Sequence, residues 1–121
     1  GGKRSDYDIR AKKDIENAHQ YFKIGQQIGS YKPAVDAYEN FITDHPGSVF
    51  RELAFSGTVA ASYNRAISSI PAVQKERLLI SKEYYNKYAK YYKSGDKKQE
   101  ADALIAAIEK ELEKYQQPTE N

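Results

Sequence analysis

The sequence predicts an all-α fold: five helices, arranged as two helical hairpins plus a capping helix. Three observations predict it. Apolar residues recur at helical spacing in five successive segments, and no segment alternates with period two over a useful length. Helix-breaking residues stand where those segments should end, at Gly29, Pro46-Gly47, Pro71 and Gly95. One segment also returns. Tyr31–Ser48 (YKPAVDAYENFITDHPGS) and Leu78–Gly95 (LLISKEYYNKYAKYYKSG) set Ala34 against Ser81, Tyr38 against Tyr85, Phe41 against Tyr88 and Gly47 against Ser94. The offset is constant at 47 residues (81 − 34). A repeated amphipathic helix with fixed small and bulky positions predicts stacked hairpins.

The first helix should start at Asp6 or Asp8, with Ile15, Ala18, Phe22 and Gly25 on its apolar face and Ile9 and Tyr21 flanking it. Gly29 supplies a left-handed C-cap. Ser30 caps the second helix, and Pro33 is tolerated in its first turn, where amides lack intrahelical partners. Val35, Tyr38, Ile42 and His45 form one stripe of this helix; Ala34, Ala37 and Phe41 form another. Ser48 opens the third helix. Phe50, Leu53, Ala54, Gly57, Ala60, Ala61 and Ile67 line one side of it; Phe55, Val59 and Tyr63 line a second. A helix apolar on two sides lies between neighbours. Gly57 costs about 1 kcal/mol of helix propensity relative to Ala, which close packing would justify. Ser68-Ser69-Ile70-Pro71 breaks that helix, and a fourth runs from Val73 or Glu76 to Ser94. Asp96 with Gln99 reads as a capping box for the fifth. Ala101, Leu104, Ile105, Ile108, Leu112 and Tyr115 give the fifth helix a single stripe, as expected of a cap with one wet face.

The whole chain sets bounds on function. Its 121 residues make one domain or a fragment of a larger array. With 40% hydrophobic and 30% charged residues it has the profile of a folded chain. A net charge of +2 is too small to imply nucleic-acid binding. Absence of cysteine excludes disulfides, thiol catalysis and Cys-type metal sites. The initial Gly-Gly reads as a cloning remnant on a processed or excised piece, so any signal peptide or lipid-attachment cysteine would lie upstream. Residues 1–5 should be disordered and residues 117–121 a tail. The domain is expected over 6–116: repeat one about 8–47, repeat two about 48–95, and the capping helix 96–116. No apolar run approaches the ~20 residues that span a bilayer.

Tyr31, Ala34, Tyr38, Phe41 and Pro46 resemble the second helix of a tetratricopeptide repeat, and Ile24-Gly25 and Ser56-Gly57 look like the Leu-Gly pair of its first helix. Such repeats have a period of about 34 residues. The surplus here is the size of the Ser68–Leu79 region and is assigned to a lengthened third helix and its connecting loop. Ala60–Tyr88 (AASYNRAISSIPAVQKERLLISKEYYNKY), with Tyr21–Gly25 and Ser30–Ser48, is similar to the carboxy-terminal repeats of BamD-type outer-membrane assembly lipoproteins, particularly those of the Bacteroidetes. The resemblance covers Ala18 to Leu112. The lipidated cysteine and amino-terminal repeats of that family are missing here. The resemblance implies a scaffold at the periplasmic face of the bacterial outer membrane, docking on BamA-like periplasmic domains and other assembly-machinery subunits. It also brings in unfolded outer-membrane proteins as partners, and a membrane link only through a lipid anchor outside this chain.

Catalytic, cofactor-binding and metal-binding residues are expected to be none. His19 and His45 are far apart and read as structural or solvated, and no phosphate loop, HExxH or nucleophile motif occurs. Helix four carries Tyr84, Tyr85, Tyr88, Tyr91 and Tyr92 around most of its circumference. Tyr85 and Tyr88 match buried repeat positions. Among Tyr84, Tyr91 and Tyr92, one or more is expected to border a protein-recognition groove. Charge is segregated. Residues 75–98 hold eight basic residues against three acidic, net +5; residues 99–121 hold two against six, net −4. Lys75, Arg77 and Lys82 are therefore candidates for meeting an acidic partner surface, with Arg77 leading because its fork pairs best with carboxylates, and anionic headgroups are a second target. The alternative is a generic tetratricopeptide module binding short or unfolded peptides in its concave groove, with Lys23 and Asn64 as clamp candidates. No nucleic-acid partner is expected.

Overall fold

The computed structural model describes residues 2–116, with side-chain surroundings from residue 6 onward. Residues 117–121, read as a tail, lie outside the described residues. Five helices follow in order: α1 (Gly2–Ile28), α2 (Lys32–Asp44), α3 (Arg51–Ile67), α4 (Pro71–Tyr91) and α5 (Lys98–Leu112). A short 3-10 turn, Glu113–Tyr115, continues α5. No strand occurs among the described residues. Each helix packs against the next in the chain, and α3 also meets both α1 and α5. That makes α3 the central element. Its run Ala54–Val59 is buried without interruption, as its two apolar sides require.

Two apolar clusters result. Ala11, Ile15 and Ala18 of α1 meet Ala34, Val35, Tyr38 and Phe41 of α2 and Ala54 and Ala61 of α3. Phe55 and Val59 of α3 meet Tyr88 of α4 and Ala101 and Ile108 of α5. The other side of α1 leaves Tyr21, Ile24 and Ile28 exposed, so Tyr21, and Ile9 with it, stand outside the core.

Burial repeats at the 47-residue offset. Tyr31 and Leu78, Ala34 and Ser81, Phe41 and Tyr88, Ala54 and Ala101, and Ala61 and Ile108 are all buried, whereas Tyr38 is buried and its counterpart Tyr85, expected in the core as well, is only part-buried because it turns toward Asp102 of α5. Backbone geometry repeats with it. His45 and Tyr92 close α2 and α4 in nearly the same conformation (φ −131, ψ 59 and φ −130, ψ 67). Phe50 and Lys97 precede α3 and α5 in another shared one (φ −91, ψ 6 and φ −98, ψ 6). The Arg51 N–H donates to the Ser48 carbonyl as the Lys98 N–H donates to that of Gly95.

Several boundaries differ from expectation. Helix α1 already runs through residues 2–5, which carry no breaker after Gly2, because propagating an existing helix costs little. Ser30 does not cap α2. Tyr31 occupies that position without a side-chain cap, and its ring packs edge-on against Phe22, 5.7 Å between centroids. Gly29 does take the left-handed conformation, φ 71. Ser48 is not the cap of α3: its Oγ accepts the Phe50 N–H at 3.0 Å within the turn, while Phe50 holds the cap position without a side-chain cap and α3 begins at Arg51. Helix α4 starts at Pro71 itself, whose φ suits the first turn, after an extended Ile70. It stops at Tyr91, because Tyr92 leaves helical geometry to lay its ring beside Phe55 and Tyr88. The surplus of the repeat is therefore not in the third helix or its loop. The α3–α4 connection is as short as the α1–α2 one, and α4 is 21 residues long against 13 for α2.

Gly57 is where close approach decides the residue. A Cβ there would overlap the ring of Tyr38, which lies buried across the α2–α3 contact. Overpacking a core position costs about 1–3 kcal/mol, more than the ~1 kcal/mol of helix propensity that alanine regains. Gly57→Ala is thus expected to destabilise the fold, measured as a lower urea midpoint at unchanged slope; a higher midpoint would show that α2 and α3 tolerate separation.

Candidate functional site

On an α-helix, residues seven apart share a face. Lys75 and Lys82 therefore share one face of α4, and Arg77, Tyr84 and Tyr91 share another. The buried side chains of Leu78, Ser81 and Tyr88 run between them. The six candidate residues consequently do not form one surface.

On the first flank, Lys75, Leu79 and Lys82 of α4 line an open groove with Glu109 and Leu112 of α5 and Tyr115 and Gln116 beyond it. Lys82 Nζ lies 3.2 Å from Glu109, an ion pair bridging the two helices with both side chains part-exposed. The Tyr115 hydroxyl donates to Gln74 and anchors the end of the groove to α4. Leu79 and Leu112 add apolar surface between the charged side chains of this groove.

On the second flank, Arg77, Ile80 and Tyr84 face Lys32, Val35, Asp36 and Glu39 of α2 across Ser62 and Arg65 of α3. Arg77 Nη1 donates to Ser69 Oγ at 2.8 Å. Burial, and then its hydrogen bond to Glu39, push the Tyr84 phenol well above its ordinary range, so Tyr84 acts as a donor. Tyr84 lines this groove.

Tyr91 and Tyr92 belong to a third environment, organised by a residue the sequence did not single out. The Arg51 guanidinium lies 4.9 Å from the ring centroids of both Phe55 and Tyr91. It also donates to the Tyr92 hydroxyl at 3.2 Å. Tyr91 is 52% exposed on the outside of this stack, while Tyr92 is part-buried and turned to the core. Cation–π stacking of this kind needs residues from two helices, and spacing along one helix carries no signal of it.

The basic and acidic segments also face each other inside the molecule. Besides Lys82–Glu109, Lys98 pairs with Asp102 at 2.7 Å and Lys97 with Glu100 at 3.3 Å. Part of the segregated charge is therefore balanced internally, and the field offered to a partner is smaller than the linear count suggests. The two proposed clamp residues do not converge. Asn64 Nδ2 donates to the Ala60 carbonyl of its own helix. The groove between α1 and α3, lined by His19, Phe22, Tyr38, Gly57 and Ala60 among others, includes neither Lys23 nor Asn64.

Both histidines tie α1 to α2. His19 Nδ1 and the Tyr38 hydroxyl share a hydrogen bond of 2.6 Å. Burial, followed by the charges of Lys23 and Lys97, lowers the His19 pKa, and burial pushes the Tyr38 phenol up to about 12. His45 Nε2 meets Asp14 at 2.7 Å. Among the described residues no group of three or more His, Asp or Glu side chains is placed to hold a metal ion.

Glu52 carries the junction of α3, α4 and α5. Its Oε2 accepts the Tyr88 hydroxyl at 2.7 Å and the Lys97 N–H at 2.9 Å. It fills the space left by Gly95, where a Cβ would overlap the carboxylate. In the first turn Ser48 supplies the acceptor for Phe50; its counterpart Gly95 has no side chain, so Glu52 reaches across from α3. The expected Asp96–Gln99 capping box is accordingly absent, and Lys97 precedes α5 without a side-chain cap of its own.

No protein-family model matches the chain, and no curated protein matches it. Among the described residues no helix is long and apolar enough to cross a membrane.

Burial raises the Glu52 pKa, but hydrogen bonds from the Lys97 backbone, Tyr88 and the Asp96 backbone outweigh it and hold the group below its ordinary value. A depressed folded pKa stabilises above the unfolded value of 4.5 and is lost as pH falls through the folded one. Glu52→Gln should therefore remove part of the acid sensitivity of the fold, and should cost about 1–3 kcal/mol at neutral pH by leaving a donor unmatched. Urea melts of both proteins from pH 7 down to pH 3 check this; parallel pH profiles would remove Glu52 from the account.

Proposed function

We propose that the chain is a non-catalytic protein–protein interaction scaffold, the carboxy-terminal part of a BamD-like component of the outer-membrane β-barrel assembly machinery, working at the periplasmic face of that membrane. The observation that carries the reading is the 47-residue repetition in burial and in cap geometry. Burial of a small residue at Ala34 and Ser81 and of a large one at Phe41 and Tyr88 is what successive tetratricopeptide-like hairpins need. Helices that each pack on the next, with α3 also touching α1 and α5, support the same arrangement. The resemblance of Ala60–Tyr88 to the BamD-type repeats then selects the branch, and the long α4 is the element in which this chain departs from a generic repeat.

The partner is a folded acidic protein surface, a BamA-like periplasmic domain, and the groove between α4 and α5 is its seat. Lys75 and Lys82 line that groove, the first exposed and the second part-exposed, so they govern encounter and orientation more than final affinity. Peptide capture between α1 and α3, the second reading, has less support, because Asn64 is committed to its own helix.

Lys75→Glu with Lys82→Glu should weaken binding to isolated BamA-type periplasmic domains about tenfold, mainly through slower association and with a flatter salt dependence. Surface plasmon resonance at two salt concentrations measures both. Unchanged association would remove the α4–α5 groove, while shifts on titration with aromatic-ended peptides confined to His19, Phe22 and Ala60 would favour peptide capture.

A further inference from the structure

The turn joining α1 to α2 and the turn joining α3 to α4 lie side by side. Between them is a cavity lined by Gly29, Ser30, Lys32, Arg65, Ser69 and Arg77, with Tyr31 and Ser68 completing it. Three lining residues are cationic and none is acidic. Lys32 is neutralised from outside by Asp36 at 2.7 Å. Among the described residues, neither arginine has a carboxylate within salt-bridge distance. Arg77 is held instead by a neutral partner, Ser69 Oγ, which itself donates to the Arg65 carbonyl at 2.5 Å. Both arginines also line the neighbouring groove with Asp36 and Glu39, yet neither forms a salt bridge there, and two guanidinium forks at one polar opening suit an oxyanion.

The rim of the cavity has a different character. Ile28 is bonded to Gly29, Ile67 to Ser68 and Ile70 to Ser69, so each isoleucine adjoins a lining residue. They are 68%, 40% and 68% exposed. Both turns therefore put exposed aliphatic side chains at the same end of the molecule as the cationic opening. A protein partner would call for a contiguous, shape-matched patch with aromatic anchors. Separate aliphatic tips at the same end as a basic pocket suit a fluid boundary instead, where apolar side chains enter the acyl region and cations meet headgroups.

We propose that this end of the molecule docks peripherally on an anionic lipid surface, with Arg65 and Arg77 taking a phosphate headgroup and Ile28, Ile67 and Ile70 inserting at the headgroup–acyl boundary. This site lies apart from the α4–α5 groove and does not depend on the protein partner assigned there. Binding needs both components. Each arginine contributes about fivefold to partitioning, and a single turn of aliphatic tips alone is too weak to hold the chain on a neutral bilayer. High salt screens the electrostatic part and releases the protein.

The test is flotation of the full chain with vesicles. Retention is expected on phosphatidylglycerol vesicles at low salt and not on phosphatidylcholine vesicles. Arg65→Gln with Arg77→Gln should lower the partition coefficient about 25-fold, at about fivefold for each arginine. Ile28→Ser with Ile70→Ser replaces two well-exposed side chains, leaves the melting temperature unchanged, and should lower it about tenfold or more. Inorganic phosphate in the vesicle assay separates the sources of the anion. Modest competition at millimolar phosphate fits a headgroup site, whereas backbone amide shifts at Ser30 and Ser69 with phosphate alone, without vesicle retention, would overturn lipid docking. Equal retention of both variants, or loss of BamA-type domain binding by the isoleucine variant in place of lipid binding, would overturn it as well. Lys75→Glu with Lys82→Glu leaves this site intact, so failure of one reading is distinguishable from failure of the other.

Discussion

The junction of the three later helices rests on one carboxylate. Glu52 sits in the first turn of α3, takes a hydroxyl from Tyr88 near the end of α4 and a backbone N–H from Lys97 at the start of α5. A hydrogen bond to a charged acceptor is stronger than a neutral one, and this acceptor serves two elements at once. The requirement runs backwards into the sequence. Gly95 must lack a side chain, Tyr88 must carry a hydroxyl, and α4 must end early enough for the turn to wrap the carboxylate. Tyr92 makes that early end possible by leaving the helix to pack beside Phe55 and to receive Arg51.

The same turn at the other end of the repeat solves the problem locally. Ser48 accepts the Phe50 N–H from two residues away, and the histidine that closes α2 reaches Asp14 on α1. Two copies of one backbone geometry are thus held by different chemistry. In the first copy the Phe50 N–H is met within the turn, while in the second the matching Lys97 N–H depends on Glu52 from a neighbouring helix. Cross-helix dependence of this sort makes α3, α4 and α5 a mutually supporting unit and leaves the outer side of α1 without a neighbour among the described residues.

Function divides along the same lines. Helix α4 has a buried stripe with two unlike flanks. One flank meets α5 in a groove lined by Lys75 and Lys82; the other meets α2 and α3 around Arg77 and Tyr84. The extra length of α4 carries Arg77 to the level of the α1–α2 turn, where it joins Arg65. Residues that read as one basic, tyrosine-rich segment along the chain therefore serve separate surfaces.

Helix existence and order were legible in the sequence, because apolar periodicity and Gly/Pro punctuation are local and act through the backbone of the residues that carry them. Gly57 was legible for the same reason: a helix-weakening residue among apolar ones implies close contact, and Tyr38 supplies it. The caps at Ser30 and Asp96 were misread, since a capping residue is chosen by whichever acceptor lies nearest in space. Around Lys97 that acceptor is Glu52, 45 residues away. Seven-residue spacing already separates Lys75 and Lys82 from Arg77 and Tyr84, but which neighbour covers each flank is a matter of tertiary packing. So is the pairing of Arg65 with Arg77. The amino-acid sequence by itself determined an all-α chain with a 47-residue repeat and its buried small and large positions. Only the tertiary structure decided which charges neutralise one another, which tyrosines are spent inside, and which cations lack a carboxylate partner, because charge and hydrogen-bond partnerships depend on distances between helices that no periodicity encodes.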